Sequence, residues 1–129
     1  PVGAHPSNEI GEYIIGVPSY LLPYMTQTAI GKREKLTVFG KDYPTRDGTC
    51  IRDYIHVCDI ASAHVNAIQY MEAGKSKAAF EVFNLGSGIG QSVLEMIESF
   101  ERVNQLTLNW QFGDRRPGDV IAVYANNSK

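Results

Sequence analysis

The stretch Thr49-Cys50-Ile51-Arg52-Asp53-Tyr54-Ile55-His56-Val57, running on into Cys58-Asp59-Ile60-Ala61-Ser62-Ala63-His64-Val65, constrains the fold more than any other part of the chain. Side chains alternate across a strand and recur every three or four residues on a helix. Ile51, Ile55 and Val57 fall on one strand face with Asp53 among them, and Arg52, Tyr54 and His56 fall on the other. An aromatic, a guanidinium and an imidazole in strict alternation suit a face turned to a polar cleft better than one wholly in solvent. Asp59 stands where a helix N-cap belongs, its carboxylate able to accept from a free backbone N–H. Ile60, His64, Ala67, Ile68 and Met71 follow at helical spacing, and Gly74 is placed to stop the helix.

Around this centre the chain reads as alternating elements. Residues 1–17 hold glycines and prolines with few periodic apolar positions, so they are expected to be loop, with His5 fixing a turn. Residues 18–30 are expected to form a helix with Pro18 and Pro23 near its first turn and Gly31 as its stop. Residues 36–39 form a short strand with Leu36 and Val38 on one face and Thr37 and Phe39 on the other. Residues 40–48 are a loop whose charges read as solvated surface. Residues 80–85 read as a further strand, followed by the turn Gly86-Ser87-Gly88-Ile89-Gly90 and a helix opened by the capping-box pair Ser92 and Glu95. Val93, Met96, Ile97, Phe100 and Val103 supply the buried stripe of that helix. Residues 106–112 alternate Leu106, Leu108 and Trp110 against polar positions, a half-buried strand, and Arg115-Arg116-Pro117-Gly118-Asp119 follows as a rigid turn.

Bulk properties exclude several classes of function. A chain of 129 residues with 43% hydrophobic and 20% charged residues is an ordinary globular composition. Its formal net charge of −2 offers no general attraction to nucleic acid or to an anionic membrane. No apolar run approaches the ~20 residues of a membrane span. Three scattered histidines show no metal-ligand spacing, so no metal site is expected. Cys50 and Cys58 lie about 25 Å apart along an extended strand, beyond the roughly 7 Å that a disulfide tolerates. Free thiols suit the reducing cytoplasm. The glycines after residue 85 are spaced G-x-G-x-G rather than G-x-G-x-x-G, and no acidic ribose partner follows a second strand, so this turn is not read as a dinucleotide site.

The run from Asp47 to Asp59, Asp47-Gly48-Thr49-Cys50-Ile51-Arg52-Asp53-Tyr54-Ile55-His56-Val57-Cys58-Asp59, resembles the signature of the UDP-glucose 4-epimerases, members of the extended short-chain dehydrogenase/reductase superfamily. Pro1-Val2-Gly3-Ala4-His5-Pro6-Ser7, Leu36-Thr37-Val38-Phe39-Gly40 and Arg115-Arg116-Pro117-Gly118-Asp119 resemble other blocks of that family, in the right order. The chain opens inside a motif without an initiator methionine and reads as a fragment. The resemblance makes residues 1–129 a partial C-terminal UDP-sugar-binding domain, α/β in class, with elements that would pack on an N-terminal NAD-binding Rossmann fold lying mostly outside this chain.

That resemblance also implies chemistry. The family passes a hydride from C4 of a UDP-hexose to bound NAD, lets the 4-keto sugar turn over, and returns the hydride to the other face. By resemblance its catalytic Ser/Thr and Tyr-x-x-x-Lys are expected before Pro1, and no tyrosine here is followed by lysine at that spacing. By resemblance Arg52 and Arg116 grip the diphosphate and Asp119 accepts from the uridine ribose. Thr37, Val38 and Phe39 line the uracil pocket, and Leu21 belongs to the helix start beside the nucleotide. Phe39 taken alone reads equally well as core packing. Where the family has Pro-Asn-Asn-Leu this chain has Pro18-Ser19-Tyr20-Leu21, which removes an amide contact to the nucleotide. Val123, four residues past Asp119, borders the hexose; a residue smaller than tyrosine there leaves space for a 2-acetamido group, although a strand residue facing the core is the other reading. The complete protein is expected to be a cytoplasmic homodimer acting on a UDP-hexose. A dehydratase or decarboxylase of the same superfamily, or a non-catalytic nucleotide-binding module, are the alternatives; the Gly-Ala-His-Pro-Ser block favours the epimerase.

Overall fold

The computed structural model describes residues 1–128 and divides the chain into two compact units. One comprises Ile14–Arg52 and Gly90–Val123; the other comprises Pro1–Tyr13, Asp53–Ile89 and the residues from Tyr124 onward.

The first unit carries the packed core. Its elements are α1 (Leu21–Ala29), β1 (Leu36–Phe39), β2 (Ile51–Arg52), β3 (Gln91–Ser92), α3 (Val93–Asn104), β4 (Trp110–Gly113) and β5 (Ala122–Val123). β1 pairs parallel with β4, and β2 lies between an antiparallel β3 and a parallel β5. Met25, Leu36, Val38, Ile97 and Leu108 are buried together, with Leu21, Leu22, Phe100 and Trp110 packed around them. The expected alternation of β1 holds: Leu36 and Val38 face the core while Phe39 is exposed. Leu106, Leu108 and Trp110 alternate as expected, but ladder pairing begins only at Trp110.

Helix ends follow local chemistry. α1 starts at Leu21 rather than at Pro18. Started at Pro18, the helix would place Pro23 beyond its first turn, where the missing N–H and the ring break the ladder; from Leu21, Pro23 is the third residue and its N–H is not needed. α3 opens as expected, with Ser92 accepting from Glu95 N and Glu95 accepting from Ser92 N. Its buried stripe is Val93, Leu94, Ile97 and Phe100, whereas Val103 is exposed. The charges of residues 40–48 are not merely solvated. Asp47 Oδ1 accepts from Thr49 N at 2.9 Å and from Thr49 Oγ1 at 2.7 Å, and its other oxygen accepts from the fully buried Ser92. Arg46 grips both oxygens of Glu95, holding that carboxyl down at about 2.

The second unit contains α2 (Val57–Glu72) and segments joined by one backbone bridge and by side chains. Asp59 is not the N-cap. His56 takes that place, its Nδ1 accepting from Cys58 N at 3.2 Å, and Asp59 falls in the first turn where a carboxylate meets the positive helix end. The helix closes as expected ahead of Gly74, with Lys75 N donating to Tyr70 O. No residue of α2 is buried, so its apolar face, including Ile68 and Met71, lies open among the described residues. The central strand is also shorter than its alternation suggests: β2 holds two residues, and beyond it, among the described residues, only His56 makes a ladder bridge, to Val2. Residues 80–85 are not a strand, because no ladder partner adjoins them among the described residues, and Phe80 and Val82 are exposed. His5 does fix a turn, through Nδ1 contacts with Ser7 and a carbonyl bond from Asn8 N. Both cysteines are free.

Candidate functional site

The basic turn after β4 is built by two residues with fixed backbone habits. Pro117 presets φ for the second position of a β-turn, and Gly118, at φ +81°, supplies the left-handed third position of a type II turn. The turn closes through Asp119 N donating to Arg116 O at 3.2 Å. It therefore folds the Arg116 side chain back over Asp119. Arg116 Nε donates to Asp119 Oδ2 and Nη2 to Oδ1, each at 3.0 Å, the two-pronged match of guanidinium to carboxylate.

β2 brings the second arginine to the same atom. Ile51 N donates to Ile121 O at 2.9 Å, which fixes the parallel register that sets Arg52 opposite Val123. Arg52 Nη1 donates to its neighbour's carbonyl, Ile51 O, at 2.8 Å, and Nη2 stands 3.6 Å from Asp119 Oδ1. Two guanidiniums thus converge on one carboxylate whose side chain is only 12% exposed. Two cations against one anion leave a single excess positive charge. The Arg116 guanidinium also lies over the ring of Phe39, 4.8 Å from its centroid.

β1 forms a wall beside this cluster. Leu36 N donates to Asn109 O, just before β4, and Gly40 N to Gly113 O at its end. The alternation of a parallel strand then directs the backbone groups of Thr37 and Phe39 to the opposite edge of β1, which pairs with no strand among the described residues. The same alternation commits Val38 to β4, and its side chain is 2% exposed within the core. Val38 therefore presents neither side chain nor backbone to a ligand. Leu21 likewise packs on the core. Tyr20, at the helix start where the sequence lacks two asparagines, caps α1 without a side-chain hydrogen bond and is exposed. Of the residues singled out from sequence, Phe39, Arg52, Arg116 and Asp119 come together, Thr37 shares the face of Phe39, and Val123 stands in register with Arg52 as an exposed residue.

Sequence reading missed the partners of Arg115. Its Nε donates to Asp42 Oδ1 at 2.7 Å and its Nη2 to Asp42 O at 2.6 Å, and its guanidinium lies over Tyr43, 4.3 Å from the ring centroid. The bond from Arg115 draws the Asp42 carboxyl below its usual range. Tyr43 is buried, and burial first, with Cys50 beside it, pushes its phenol up.

The glycine-rich turn after residue 85 has a different use. A Cβ on Gly86 would stand 2.4 Å from Asp53 Oδ2 and 2.5 Å from Ala125 Cβ. Asp53 accepts from Ser87 N at 3.0 Å, Ser87 Oγ at 2.7 Å and Ala125 N at 3.0 Å. Burial raises its carboxyl, but those three bonds outweigh burial and leave it below its usual value. The turn closes on the chain's own groups, so it does not form the open cradle that a dinucleotide pyrophosphate needs. Among the described residues no cluster of His, Cys, Asp or Glu suits a metal ion, and no helix is long and apolar enough to cross a membrane.

Comparison with known proteins adds a relationship to this geometry. Residues 1–86 match the model of the NAD dependent epimerase/dehydratase family. The chain is 49% identical over 129 residues to the UDP-glucose 4-epimerase of Bacillus subtilis (strain 168), covering 100% of itself and 37% of that protein. It is 50% identical over 129 residues to UDP-glucose 4-epimerase 2 of Arabidopsis thaliana, of which it covers 36%. The crystal structure of the UDP-glucose 4-epimerase of Stenotrophomonas maltophila, with bound NAD and formylated UDP-arabinopyranose, superposes with a TM-score of 0.92 at 47% identity, over 99% of this chain and 37% of that one. The enzyme of Bifidobacterium longum in complex with NAD+ and UDP gives a TM-score of 0.90 at 44% identity, over 100% of this chain and 37% of that one. The chain thus spans little more than a third of the length of these relatives.

Proposed function

Because this chain belongs to the NAD dependent epimerase/dehydratase family, within the extended short-chain dehydrogenase/reductase superfamily, we propose that it supplies the nucleotide-diphosphate grip of a UDP-glucose 4-epimerase. The observation that carries the proposal is the convergence of Arg52 and Arg116 on Asp119 Oδ1 beside Phe39. Guanidinium forks match phosphate oxygens as they match carboxylate, so the pair that holds Asp119 is suited to a diphosphate. On this reading Arg52 and Arg116 take the diphosphate and Asp119 accepts from the ribose. Phe39 and the free backbone edge at Thr37 meet the uracil. Leu21 and Val38 serve as packing beneath that wall, and Val123 borders the hexose.

Holding the nucleotide firmly while leaving the sugar free suits a C4 epimerisation. Binding energy from the unreactive UDP keeps the substrate in place while the sugar presents each face in turn. By family resemblance we assign NAD and the proton-transfer residues to the part of the longer protein beyond this chain. We place that protein in the cytoplasm as a homodimer, with this chain in its C-terminal, substrate-binding part.

The test is turnover by the complete protein. It should interconvert UDP-galactose and UDP-glucose, and this chain alone should not. A complete protein that dehydrates or decarboxylates a UDP-sugar, or that binds UDP without turnover, would replace the epimerase reading.

A further inference from the structure

The two adjacent arginines, 115 and 116, do different work. Arg116 lies over Phe39 and reaches Asp119, whereas Arg115 lies over Tyr43 and is engaged by Asp42 at both its carboxylate and its carbonyl. Phe39 and Tyr43 are four residues apart on the same β1 exit, so one short segment receives both guanidiniums, each on its own aromatic face. Tyr43 is itself held: 6% exposed, with its N–H donating to Gly48 O at 3.0 Å. The backbone between the two segments is joined once more by Gly40 N donating to Gly113 O at 2.9 Å.

We infer that Arg115 is a positioning residue: by locking onto Asp42 and Tyr43 it pins the basic turn to the loop after β1 and fixes where Arg116 presents its guanidinium. Without that lock, residues 114–119 would keep the type II turn, which Pro117 and Gly118 specify locally, but would lose a side-chain tie to β1. Arg116 would then leave Phe39 for part of the time. An ordered fork loses little freedom on meeting a dianion, whereas a wandering one must be immobilised at the moment of binding. Arg115 therefore acts on the anion only through Arg116.

This rests on the diphosphate reading above, and the experiment separates the two. UDP is titrated calorimetrically into the complete protein and its Arg115→Ala, Arg116→Ala and double variants. Neighbouring side chains that act as a unit show non-additive effects. Arg115→Ala should weaken UDP binding about fivefold to tenfold, toward the lower end of the range such couplings span. The double variant should bind no worse than Arg116→Ala alone, because the residue through which Arg115 acts is already gone. Tyr43→Phe, which keeps the ring, should bind as the parent does, and Tyr43→Leu should reproduce Arg115→Ala. KM for the UDP-sugar should rise in Arg115→Ala with kcat nearly unchanged. If Arg115 touched the phosphate itself, the two single losses would multiply in the double variant, and the inference falls. It falls equally if Arg116→Ala weakens binding and Arg115→Ala does not. If the parent does not bind UDP, or Arg116→Ala binds as the parent does, the diphosphate reading fails and takes this inference with it.

Discussion

Removing the hydroxyl of Ser92 should destabilise the first unit far more than an ordinary surface change. Ser92 is fully buried, and its Oγ does two things at once. It accepts from Glu95 N at 3.1 Å, capping α3, and it donates to Asp47 Oδ2. Loss of a serine cap costs about 1 kcal/mol. Loss of a hydrogen bond to a charged group costs about 1.5–3 kcal/mol. Asp47 keeps its two bonds from Thr49 at Oδ1, so it is weakened rather than orphaned, and the summed loss for Ser92→Ala is about 2.5–4 kcal/mol. The perturbation also reaches the site, since Ser92 is the register partner of Ile51 on the strand that carries Arg52. Urea unfolding of the complete protein measures it, as a lowered midpoint at unchanged slope. Asp47→Ala should be non-additive with Ser92→Ala, because both remove the same bond. A loss below about 1 kcal/mol, the value of the cap alone, would show that the Ser92–Asp47 bond contributes nothing.

Three further outcomes follow from particular residues. Arg46, then the Ser92 backbone, hold Glu95 at about 2 against an ordinary 4.5; a depressed carboxylate stabilises above its unfolded value, so melting temperature should fall as pH drops from 4.5 toward 2, more steeply than in Glu95→Gln, and parallel curves would refute the link. Expressed alone, this chain should bind a hydrophobic dye and aggregate, because Ile68, Met71, Phe80 and Val82 are exposed; a monomeric, cooperative melt would contradict that. The small Val123 should let the complete enzyme interconvert UDP-N-acetylglucosamine and UDP-N-acetylgalactosamine besides the plain hexoses. Val123→Tyr should cut the acetamido activity tenfold or more, matching an overfilling cost of about 1–3 kcal/mol, and spare the hexoses; steady-state rates on both pairs decide it, and a parent inactive on the acetamido sugars refutes the gate.

The elements with strong local signals were legible in the sequence. The Ser92–Glu95 capping box, the alternation of Leu36 to Phe39 and the Pro117-Gly118 turn are each specified by residues within a few positions of one another. Asp59 misled because any aspartate before a helical run looks like a cap, and the imidazole of His56 is a less familiar acceptor. Residues 80–85 misled because their composition is that of a strand, yet a strand needs a ladder partner and none adjoins them among the described residues. The family resemblance singled out Arg52, Arg116 and Asp119, and the structure brings these three side chains together. The locks on Arg115 were not legible, because Asp42 and Tyr43 meet it only through pairing of β1 with β4 across some seventy residues of chain.

We propose that Arg52 and Arg116 together form a grip for the diphosphate of a UDP-sugar. Calorimetric titration of the complete protein with UDP tests it most directly. The parent should bind UDP saturably, and Arg52→Ala and Arg116→Ala should each lose about 1.5–3 kcal/mol, the scale of a hydrogen bond to a charged group. Unchanged UDP affinity in both variants would contradict it.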